Sequence, residues 1–346
     1  MNRTIGTSVY GLRAPILKQG DDLENIIVNT LLSSGIEIKD RDVLGITESI
    51  VARCEGNYVT VDEVVEEIKK KFNNPSSITV YKPIYSRNRF AMILKAIARA
   101  VTNNVFIVMP EIDEVGNVLK NHPFTGLNYD EYYTKIVEDE GKQCIILNEN
   151  DKIPHTASCV LDCQLHKQNY TINLARICED KCEYGLLGSN KSSEEVLKLF
   201  PSTDYAKKLV NNIQRIVKEK TGKTIEVMIY GDGCFKDPVG GIWEWADPCV
   251  SPAYTLGLNG TPNEIKIKNF ADEKFKTLSG EELGEAIKEE IKHKKSDLKG
   301  NMYSQGTTPR RYIDLLGSLM DLTSGSGDKG TPFVYVQGYF DNLAND

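Results

Sequence analysis

A glycine-rich run of the sequence carries the side chains that most directly suggest ion binding. Residues 230–241 read YGDGCFKDPVGG and follow an apolar segment that is typical of a β-strand. Glycine adopts backbone conformations that other residues avoid, so a loop that contains Asp232, Asp237 and Lys236 can hold a hard cation or a phosphate. The alternative is a tight turn in which the aspartates hydrogen-bond only to local backbone amides.

A second acidic loop follows another apolar segment, at residues 105–109. Asp113 and Glu114 lie in this loop, and Asn117 comes a few positions later. Two acidic loops at strand ends predict a site for Mg²⁺ or Mn²⁺, because these cations prefer a few carboxylates together with phosphate and water oxygens. The alternative for this loop is an acidic surface segment that faces water.

Two adjacent arginines lie at a predicted helix start near the carboxyl end of the sequence. In the stretch GTTPRR, Thr308 suits the N-cap of a helix and Pro309 suits its first position, so Arg310 and Arg311 fall in the first turn. The free amides and the dipole of a helix start attract anions, which favours a phosphate or a carboxylate here. The alternative is that both arginines pair with surface acids. No Walker loop is present, since the glycine-rich run 324–330 lacks its Gly-Lys-Ser/Thr ending.

A short segment contains four of the eight cysteines together with a histidine: Cys159, Cys163, His166, Cys178 and Cys182. The gaps between them fall within the range of zinc sites, but the segment has no glycine-rich knuckle that would turn each pair inward. Buried free thiols are the favoured interpretation. None of the histidines has a spacing that marks it as the partner of a cysteine nucleophile.

The elements that must position these groups alternate between helices and strands. Thr60 and Glu63 form a capping-box pattern before an apolar helical face, which predicts a helix that ends at Asn73. Further helices are predicted between Asp22 and Gly35, over 89–101, 130–140, 194–200, 205–220 and 281–294, and from Thr308 onward. Strands are predicted over 43–46, 105–109, 144–147, 224–230 and 333–337. This order predicts an α/β fold of mixed α+β character, in which mixed sheets are flanked by helices.

The composition is that of an ordinary globular protein. The 346 residues include 42 basic and 49 acidic side chains, which gives a formal charge of −7, and 40% are hydrophobic. The acidic balance argues against nucleic-acid binding, which relies on Lys and Arg at phosphates. No segment reaches the roughly 18 consecutive apolar residues of a membrane helix, and residues 1–12 lack a signal-peptide pattern, so a cytoplasmic protein without membrane contacts is expected.

Three segments near the amino terminus resemble the opening of the coenzyme F420-0:gamma-glutamyl ligase family. They read ILKQGDDL at 16–23, DVLGI at 42–46 and IVARCEG at 50–56. Their shared order over the first sixty residues is more specific than any one of the three segments alone.

The two acidic loops also resemble motifs of this family. Residues 111–117 are similar to its Gly-Ile-Asp-x-Ser-Asn motif, with Glu111 in place of the glycine and one extra residue before the asparagine. Residues 231–233 are similar to its Ser-Asp-Thr/Ser motif. The family's Arg-Pro-x-Arg run has no counterpart in residues 236–245.

The resemblance implies a gamma-glutamyl-ligase-like fold and an enzyme that adds glutamate to a deazaflavin precursor of the coenzyme F420-0 type. GTP would be the co-substrate, a divalent cation (Mg²⁺ or Mn²⁺) the cofactor, an acyl phosphate the intermediate, and a homodimer the assembly. By the same resemblance Asp113 and Asp232 are the main metal candidates, with Asp237 and Glu114 as further ones. The partners would be small molecules: a nucleotide, glutamate and an acceptor carboxylate.

The nucleotide or the substrates are expected to contact a further set of residues: Arg53, Glu55, Asn117, Lys236, Arg310 and Arg311. The chain is longer than a minimal family member, which predicts ligase-like parts at 1–120 and 224–346 with an insertion or second subdomain at 121–223. Three alternatives remain: a related ligase for a different carboxylate, a non-catalytic nucleotide- or metal-binding protein on the same scaffold, and a zinc-bearing interaction module.

Overall fold

The computed structural model of the chain describes residues 4–81, 87–111, 120–121, 126–148, 159–162, 171–236, 243–262, 265–293, 310–325 and 327–344. Its strands are β1 (Ser8–Leu12), β2 (Val43–Thr47), β3 (Tyr58–Thr60), β4 (Ser77–Tyr81), β5 (Asn104–Met109), β6 (Gln143–Asn148), β7 (Cys159–Asp162), β8 (Thr171–Asn173), β9 (Ser189–Ser193), β10 (Val196–Leu199), β11 (Glu226–Lys236), β12 (Trp243–Tyr254) and β13 (Phe333–Gln337). Its α-helices are α1 (Leu23–Ser33), α2 (Glu48–Glu55), α3 (Val61–Lys71), α4 (Arg87–Ala100), α5 (Tyr129–Asp139), α6 (Thr203–Thr221), α7 (Ile267–Asn269), α8 (Gly280–His293) and α9 (Tyr312–Ser324).

The strands form three sheets in the described residues. A mixed sheet has the order β1-β13-β2-β11-β12, in which β2 and β11 are parallel and the other neighbours antiparallel. A parallel sheet has the order β6-β5-β4-β7-β8, and a small antiparallel sheet the order β3-β10-β9. The predicted α/β class with mixed sheets and flanking helices is confirmed.

The mixed sheet is covered by apolar side chains on both faces. Leu44 and Ile46 pack with α1 and α6, whereas Val43 packs with α9 on the opposite face. Successive side chains of a strand point to opposite faces, so a strand that is buried on both sides is apolar throughout. Gly45 allows α9 to approach β2, because a Cβ atom there would lie 2.1 Å from the sulfur of Met320. This packing fixes the carboxyl end of β2, where α2 begins.

The predicted starts of two helices are confirmed with their capping bonds. The Thr60 hydroxyl accepts from the Glu63 amide at 3.1 Å, and the Glu63 carboxylate accepts from the Thr60 amide at 2.7 Å. Asp22 caps α1 by accepting from the Asn25 amide at 3.2 Å. In each case the side chain satisfies a backbone donor that has no partner within the helix.

The helix predicted at 194–200 is wrong, because residues 196–199 form strand β10. This strand lies between β3 and β9 and pairs antiparallel with both. Leu197 and Leu199 are buried, while Lys198 between them faces the other way. Two leucines separated by one residue fit a strand as well as a helix when the segment is short, and the pairing with the distant β3 decides between them.

Two further boundaries differ from the prediction. Strand β11 continues to Lys236, so the first part of the predicted loop at 230–241 is a strand that pairs with β12. Helix α9 begins at Tyr312 with Arg311 as its N-cap, later than predicted. The Tyr312 amide donates to the Gly260 carbonyl at 3.0 Å, so a distant segment satisfies this amide at the helix start. Thr308 and Pro309 lie outside the described residues.

The sheets join strands from distant parts of the chain. The parallel sheet combines β4 and β5 with β6, β7 and β8, and the mixed sheet combines β1 and β2 with β11, β12 and β13. The division into segments 1–120, 121–223 and 224–346 stays a prediction. Within the described ranges, every helix is too short or too polar to cross a membrane.

Candidate functional site

A cavity of about 340 Å³ lies beside the junction of β2 and α2. Its size falls within the range of roughly 300–1,000 Å³ that is usual for small-molecule sites. Ligands in α/β proteins commonly bind at the carboxyl ends of strands, which is where β2 ends. The cavity is lined by Ala14, Pro15, Ile16, Leu17, Thr47, Ser49, Ile50, Arg53, Ser324, Gly325, Gly327, Gly330, Thr331 and Pro332.

The start of helix α2 forms one wall of this cavity. Thr47 is the N-cap in an extended conformation, and its side chain forms no capping hydrogen bond. Its own amide donates to the Pro332 carbonyl at 3.0 Å, which ties the helix start to the glycine-rich segment that forms the opposite wall. The first amides of a helix and its dipole favour an anion. This wall of the cavity therefore suits a phosphate or a carboxylate.

Arg53 adds a positive charge to the same cavity. It lies four residues after Ser49, so both side chains are on the same face of α2 and both line the cavity. In the part of the chain that the structure describes, Arg53 forms no ion pair with a carboxylate. A guanidinium group can bind two oxygens of a phosphate or carboxylate at once. Arg53 is thus the predicted binding residue that the structure brings to the cavity.

A buried carboxylate and a lysine lie at the first turn of α2. Glu48 is only 3% exposed, and its Oε1 accepts from Asn190 Nδ2 at 3.4 Å. The ammonium of Lys198 lies 3.8 Å from the same oxygen and donates a short hydrogen bond to Ser49 Oγ. The sequence analysis named neither Lys198 nor Ser49, because it assigned the segment of Lys198 to a helix and because their contact joins segments about 150 residues apart.

Glu48 also connects this region to the strand that carries Asp232. A Cβ atom on Gly231 would lie 2.2 Å from Glu48 Cγ, so the absence of a side chain there makes room for the glutamate. The pairing of β11 with β12 shifts register between Ile229 and Gly231 and again between Gly231 and Gly233. Such irregularities are frequent beside functional sites, because they redirect side chains. The backbone of Asp232 lies within the second of them.

The remaining metal candidates, Asp113, Glu114 and Asp237, lie outside the described residues, as does Asn117. Lys236 is the last residue of β11 and pairs with Trp243. Among the described residues, no group of three or more His, Cys, Asp or Glu side chains has the arrangement of a metal site. The metal ligands named from the sequence therefore stay a prediction.

Glu55, the last residue of α2, is not among the residues that line the cavity. Its carboxylate accepts from the Ser202 amide at 2.9 Å and from the Ser202 hydroxyl. Ser202 is the N-cap of α6 and forms no capping bond with its own side chain. Glu55 thus satisfies a backbone donor at the start of α6 and connects the two helices.

Arg310 and Arg311 are not among the residues that line the cavity. Arg311 donates from Nε and Nη2 to the two carboxylate oxygens of Asp314, at 2.9 and 2.8 Å. Burial, the largest single influence, acts to lower the pKa of Arg311, but the hydrogen bonds to Asp314 and the negative charge of that carboxylate together raise the pKa above its ordinary value. For Arg311 the structure favours the predicted alternative of pairing with an acid. Arg310 beside it is exposed.

Cys178 and Cys182 are buried free thiols, in agreement with the interpretation favoured from the sequence. Burial raises the pKa of Cys178 to about 12 and that of Cys182 to about 11. Both are therefore protonated at neutral pH and are poor nucleophiles. Cys163 and His166 lie outside the described residues.

Comparison with known proteins identifies a family and a relative of similar sequence. Residues 11–338 match the family described as F420-0:gamma-glutamyl ligase. A protein named coenzyme F420:L-glutamate ligase from Methanothermobacter thermautotrophicus is 33% identical over 61 residues, which are 17% of this chain and 24% of the relative. The chain thus aligns with about a quarter of that relative's length. Because the family match covers nearly the whole chain, and because the resemblance of the amino-terminal segments agrees with it, this chain belongs to the F420-0:gamma-glutamyl ligase family.

Proposed function

We propose that this protein is a ligase that joins the amino group of glutamate to a carboxylate of a coenzyme F420-0-like deazaflavin acceptor. GTP would supply the phosphoryl group, and Mg²⁺ or Mn²⁺ would assist. Family membership supports the glutamate ligase reaction. The observation that carries the nucleotide part is the cavity at the start of α2, which is lined by Ser49, Arg53 and a glycine-rich segment.

The proposed reaction has two steps. A carboxylate oxygen of the acceptor attacks the γ-phosphorus of the nucleotide, the bond to the β-phosphate oxygen breaks, and an acyl phosphate and a nucleoside diphosphate form. The glutamate amine then attacks the acyl carbon, the carbon–oxygen bond to phosphate breaks, and the amine loses a proton. The products are an amide, inorganic phosphate and the nucleoside diphosphate.

The protein would contribute mainly by binding and orienting the reactants. The amides at the start of α2, the hydroxyl of Ser49 and the guanidinium of Arg53 are the groups that would contact phosphate oxygens in the cavity. Donors that are held in place before the reaction stabilise the charge that develops on these oxygens without a cost of reorganisation. Holding the acceptor carboxylate close to the γ-phosphorus would add a further rate increase.

Asp232, with Asp113, Asp237 and Glu114, would hold the divalent cation. The backbone of Asp232 lies at a register shift one residue after Gly231, which contacts the buried Glu48. Carboxylate oxygens are the ligands that Mg²⁺ and Mn²⁺ prefer, so this donor set fits the proposed cation. When bound, the cation supplies neutralising charge at phosphate oxygens. A homodimer, expected from the family resemblance, would be tested by light scattering of the purified protein.

The test is a thermal-shift titration with GTP and with ATP, each with and without Mg²⁺ or Mn²⁺. A ligand at about 100 times its Kd stabilises the native state by about 2.7 kcal/mol, which gives a measurable rise in Tm. We expect a metal-dependent rise with GTP for the wild type and for Arg310→Met, and a much smaller one for Arg53→Met and Asp232→Asn. No rise in the wild type with any nucleotide and metal would contradict the proposed function.

Product analysis then identifies the acceptor. The enzyme would be incubated with GTP, Mn²⁺, glutamate and coenzyme F420-0, and mass spectrometry would show the mass of one added glutamate residue together with release of phosphate. Nucleotide binding without this product would contradict the deazaflavin acceptor and favour a related ligase for a different carboxylate.

A further inference from the structure

The largely buried side chain of Lys198 carries a positive charge to which the proposed function assigns no role. It lies on β10, far along the chain from α2, yet its ammonium reaches the first turn of that helix. Its side chain is only 11% exposed. There it donates to Ser49 Oγ and lies 3.8 Å from Glu48 Oε1.

The position is unfavourable for a lysine unless negative charge is nearby. The start of a helix carries a partial positive charge, which repels an ammonium group, and the removal of a charged group from water costs free energy. Glu48 supplies one compensating negative charge. The positive ends of the α2 backbone dipoles remain, so an anion in the adjoining cavity would further stabilise this arrangement.

The hydrogen bond between Lys198 and Ser49 has a definite direction. An ammonium group only donates, so Ser49 Oγ is the acceptor in this contact. The single hydrogen of the Ser49 hydroxyl therefore cannot point to Lys198 and remains available to another acceptor. Ser49 lines the cavity at the start of α2, where the proposed function places phosphate oxygens.

We propose that Lys198 is a positioning residue of the nucleotide site, which orients the Ser49 hydroxyl as a hydrogen-bond donor to a phosphate oxygen of the nucleotide. This inference rests on the proposed function, and it makes the hairpin of β9 and β10 a part of the site. Lys198 itself acts through Ser49 and does not contact the nucleotide. A purely structural role, in which Lys198 only neutralises the buried Glu48, would change stability and leave nucleotide affinity unaltered.

The test compares nucleotide affinity in Lys198→Met, Ser49→Ala and the double variant, by calorimetric titration with GTP and Mg²⁺. We expect each single variant to bind about tenfold more weakly, which corresponds to about 1.4 kcal/mol. In the Ser49→Ala background, Lys198→Met should weaken binding less than about threefold, because the hydroxyl through which it acts is absent. The matched control is Lys191→Met on β9, whose lysine pairs with Glu194 at the surface; its affinity should equal that of the wild type.

The outcomes separate this inference from the proposed function. Absence of GTP binding in the wild type overturns the proposed function. Wild-type binding that is retained at full strength in Lys198→Met overturns the positioning role, as does a double variant whose loss is the product of the two single losses. Conversely, weaker binding in Lys198→Met that is partly restored in Lys198→Arg supports the role, because arginine keeps a donor for Ser49.

Removal of Lys198 takes a positive charge away from the buried Glu48, and Lys198→Met is therefore expected to lower the stability of the fold. A second pair of variants keeps the test decisive. Glu48→Gln removes the buried charge, and the comparison of Glu48→Gln with Glu48→Gln/Lys198→Met then measures the effect of the lysine alone. The same tenfold difference in GTP affinity is expected, and equal affinities overturn the inference.

Discussion

The starts of α2 and α9 each lie near an arginine, but the structure uses the two arginines differently. Arg311 at the start of α9 binds both oxygens of Asp314, a residue of the same first turn. Arg53, on the second turn of α2, lines a cavity and forms no ion pair among the described residues. A helix start and an arginine together therefore do not define an anion site. An arginine at a helix start is available to a ligand anion when no carboxylate of the same turn already binds its guanidinium group.

The surroundings of the two helix starts also differ in the space that they leave for a ligand. A glycine-rich segment lies opposite the start of α2 and leaves a cavity between them. At the start of α9 the Tyr312 amide already donates to the Gly260 carbonyl. Residues at the start of α2 thus line a space that a ligand can fill, whereas Arg310 and Arg311 at the start of α9 are not among the residues that line it.

The largest expected effect comes from Gly231→Ala, which disturbs the α2 site without changing any polar residue. The new methyl group would lie 2.2 Å from Glu48 Cγ, so the buried glutamate must move. Overpacking of this kind lowers the free energy of unfolding by about 1–3 kcal/mol. The change is measured by urea denaturation. Gly284→Ala on α8 is the control: its new methyl group meets no atom within 4 Å, and alanine is favoured over glycine inside a helix, so this variant should be at least as stable as the wild type. A Gly231→Ala variant that is also as stable as the wild type would show that the contact with Glu48 is not tight.

The next effect compares the two arginines directly. Arg53→Met should weaken GTP binding about thirtyfold, because loss of a hydrogen bond to a charged group costs about 2 kcal/mol. Arg311→Met should leave GTP affinity within about twofold, since Asp314 and not the ligand occupies that guanidinium. Calorimetric titration of both variants measures the difference. Equal losses would mean that the start of α9 belongs to the nucleotide site as well.

A smaller effect is expected from Asp314→Asn, which removes the charge that binds Arg311. The pair is partly exposed, so the loss in the free energy of unfolding should be about 1 kcal/mol. In the Arg311→Met background the same substitution should have little effect, because its partner is absent. Thermal denaturation of the two single variants and the double variant measures this coupling, and full additivity would mean that the ion pair does not contribute.

The smallest effect concerns the start of α3, where the side chains of Thr60 and Glu63 accept hydrogen bonds from the backbone amides. The hydrogen bond from the Thr60 amide, opposed in part by burial, lowers the pKa of Glu63 below its ordinary value. Because the pKa of Glu63 is lower in the folded than in the unfolded state, its ionised carboxylate stabilises the fold at pH values above the unfolded pKa of about 4.3. This stabilisation is lost as the pH falls through the folded pKa. Because Glu63 is largely exposed, we expect about 0.5 kcal/mol.

The measurement is the unfolding free energy between pH 7 and pH 3 for the wild type and Glu63→Gln. Glutamine also fits the capping box but does not titrate, so the variant should lack this part of the pH dependence. Identical pH profiles would mean that Glu63 does not contribute through its charge.

Several elements followed from local sequence patterns because the interactions that form them are local. The capping box of Thr60 and Glu63 lies within three residues, and the structure contains both of its hydrogen bonds. Strand β2 was predicted over 43–46 from an apolar run, which is typical of a strand that is buried on both faces, and the structure extends it to Thr47. The family resemblance of the amino-terminal segments was likewise readable from residue order, and the match over residues 11–338 confirms it.

The cavity was only partly predictable. Arg53, on one wall of the cavity, was named from the family resemblance. The opposite wall of the cavity comes from residues 324–332, almost three hundred positions later in the chain. The strand at 196–199 was misassigned because its alternation of leucine and lysine spans too few residues to distinguish a strand from a helix. With that strand, the contact of Lys198 with Ser49 was missed as well.

The sequence by itself determined the fold class, two capped helix starts, several of the buried strands and the family, because composition, periodicity and motif order are properties of neighbouring residues. Only the tertiary structure decided which polar and charged groups remain available to a ligand. Arg311 and Glu55 are engaged by Asp314 and Ser202, whereas Arg53 and Ser49 line a cavity. The physical reason is that a charged side chain takes the partner that the fold brings nearest, and pairing across the sheets depends on contacts between distant segments.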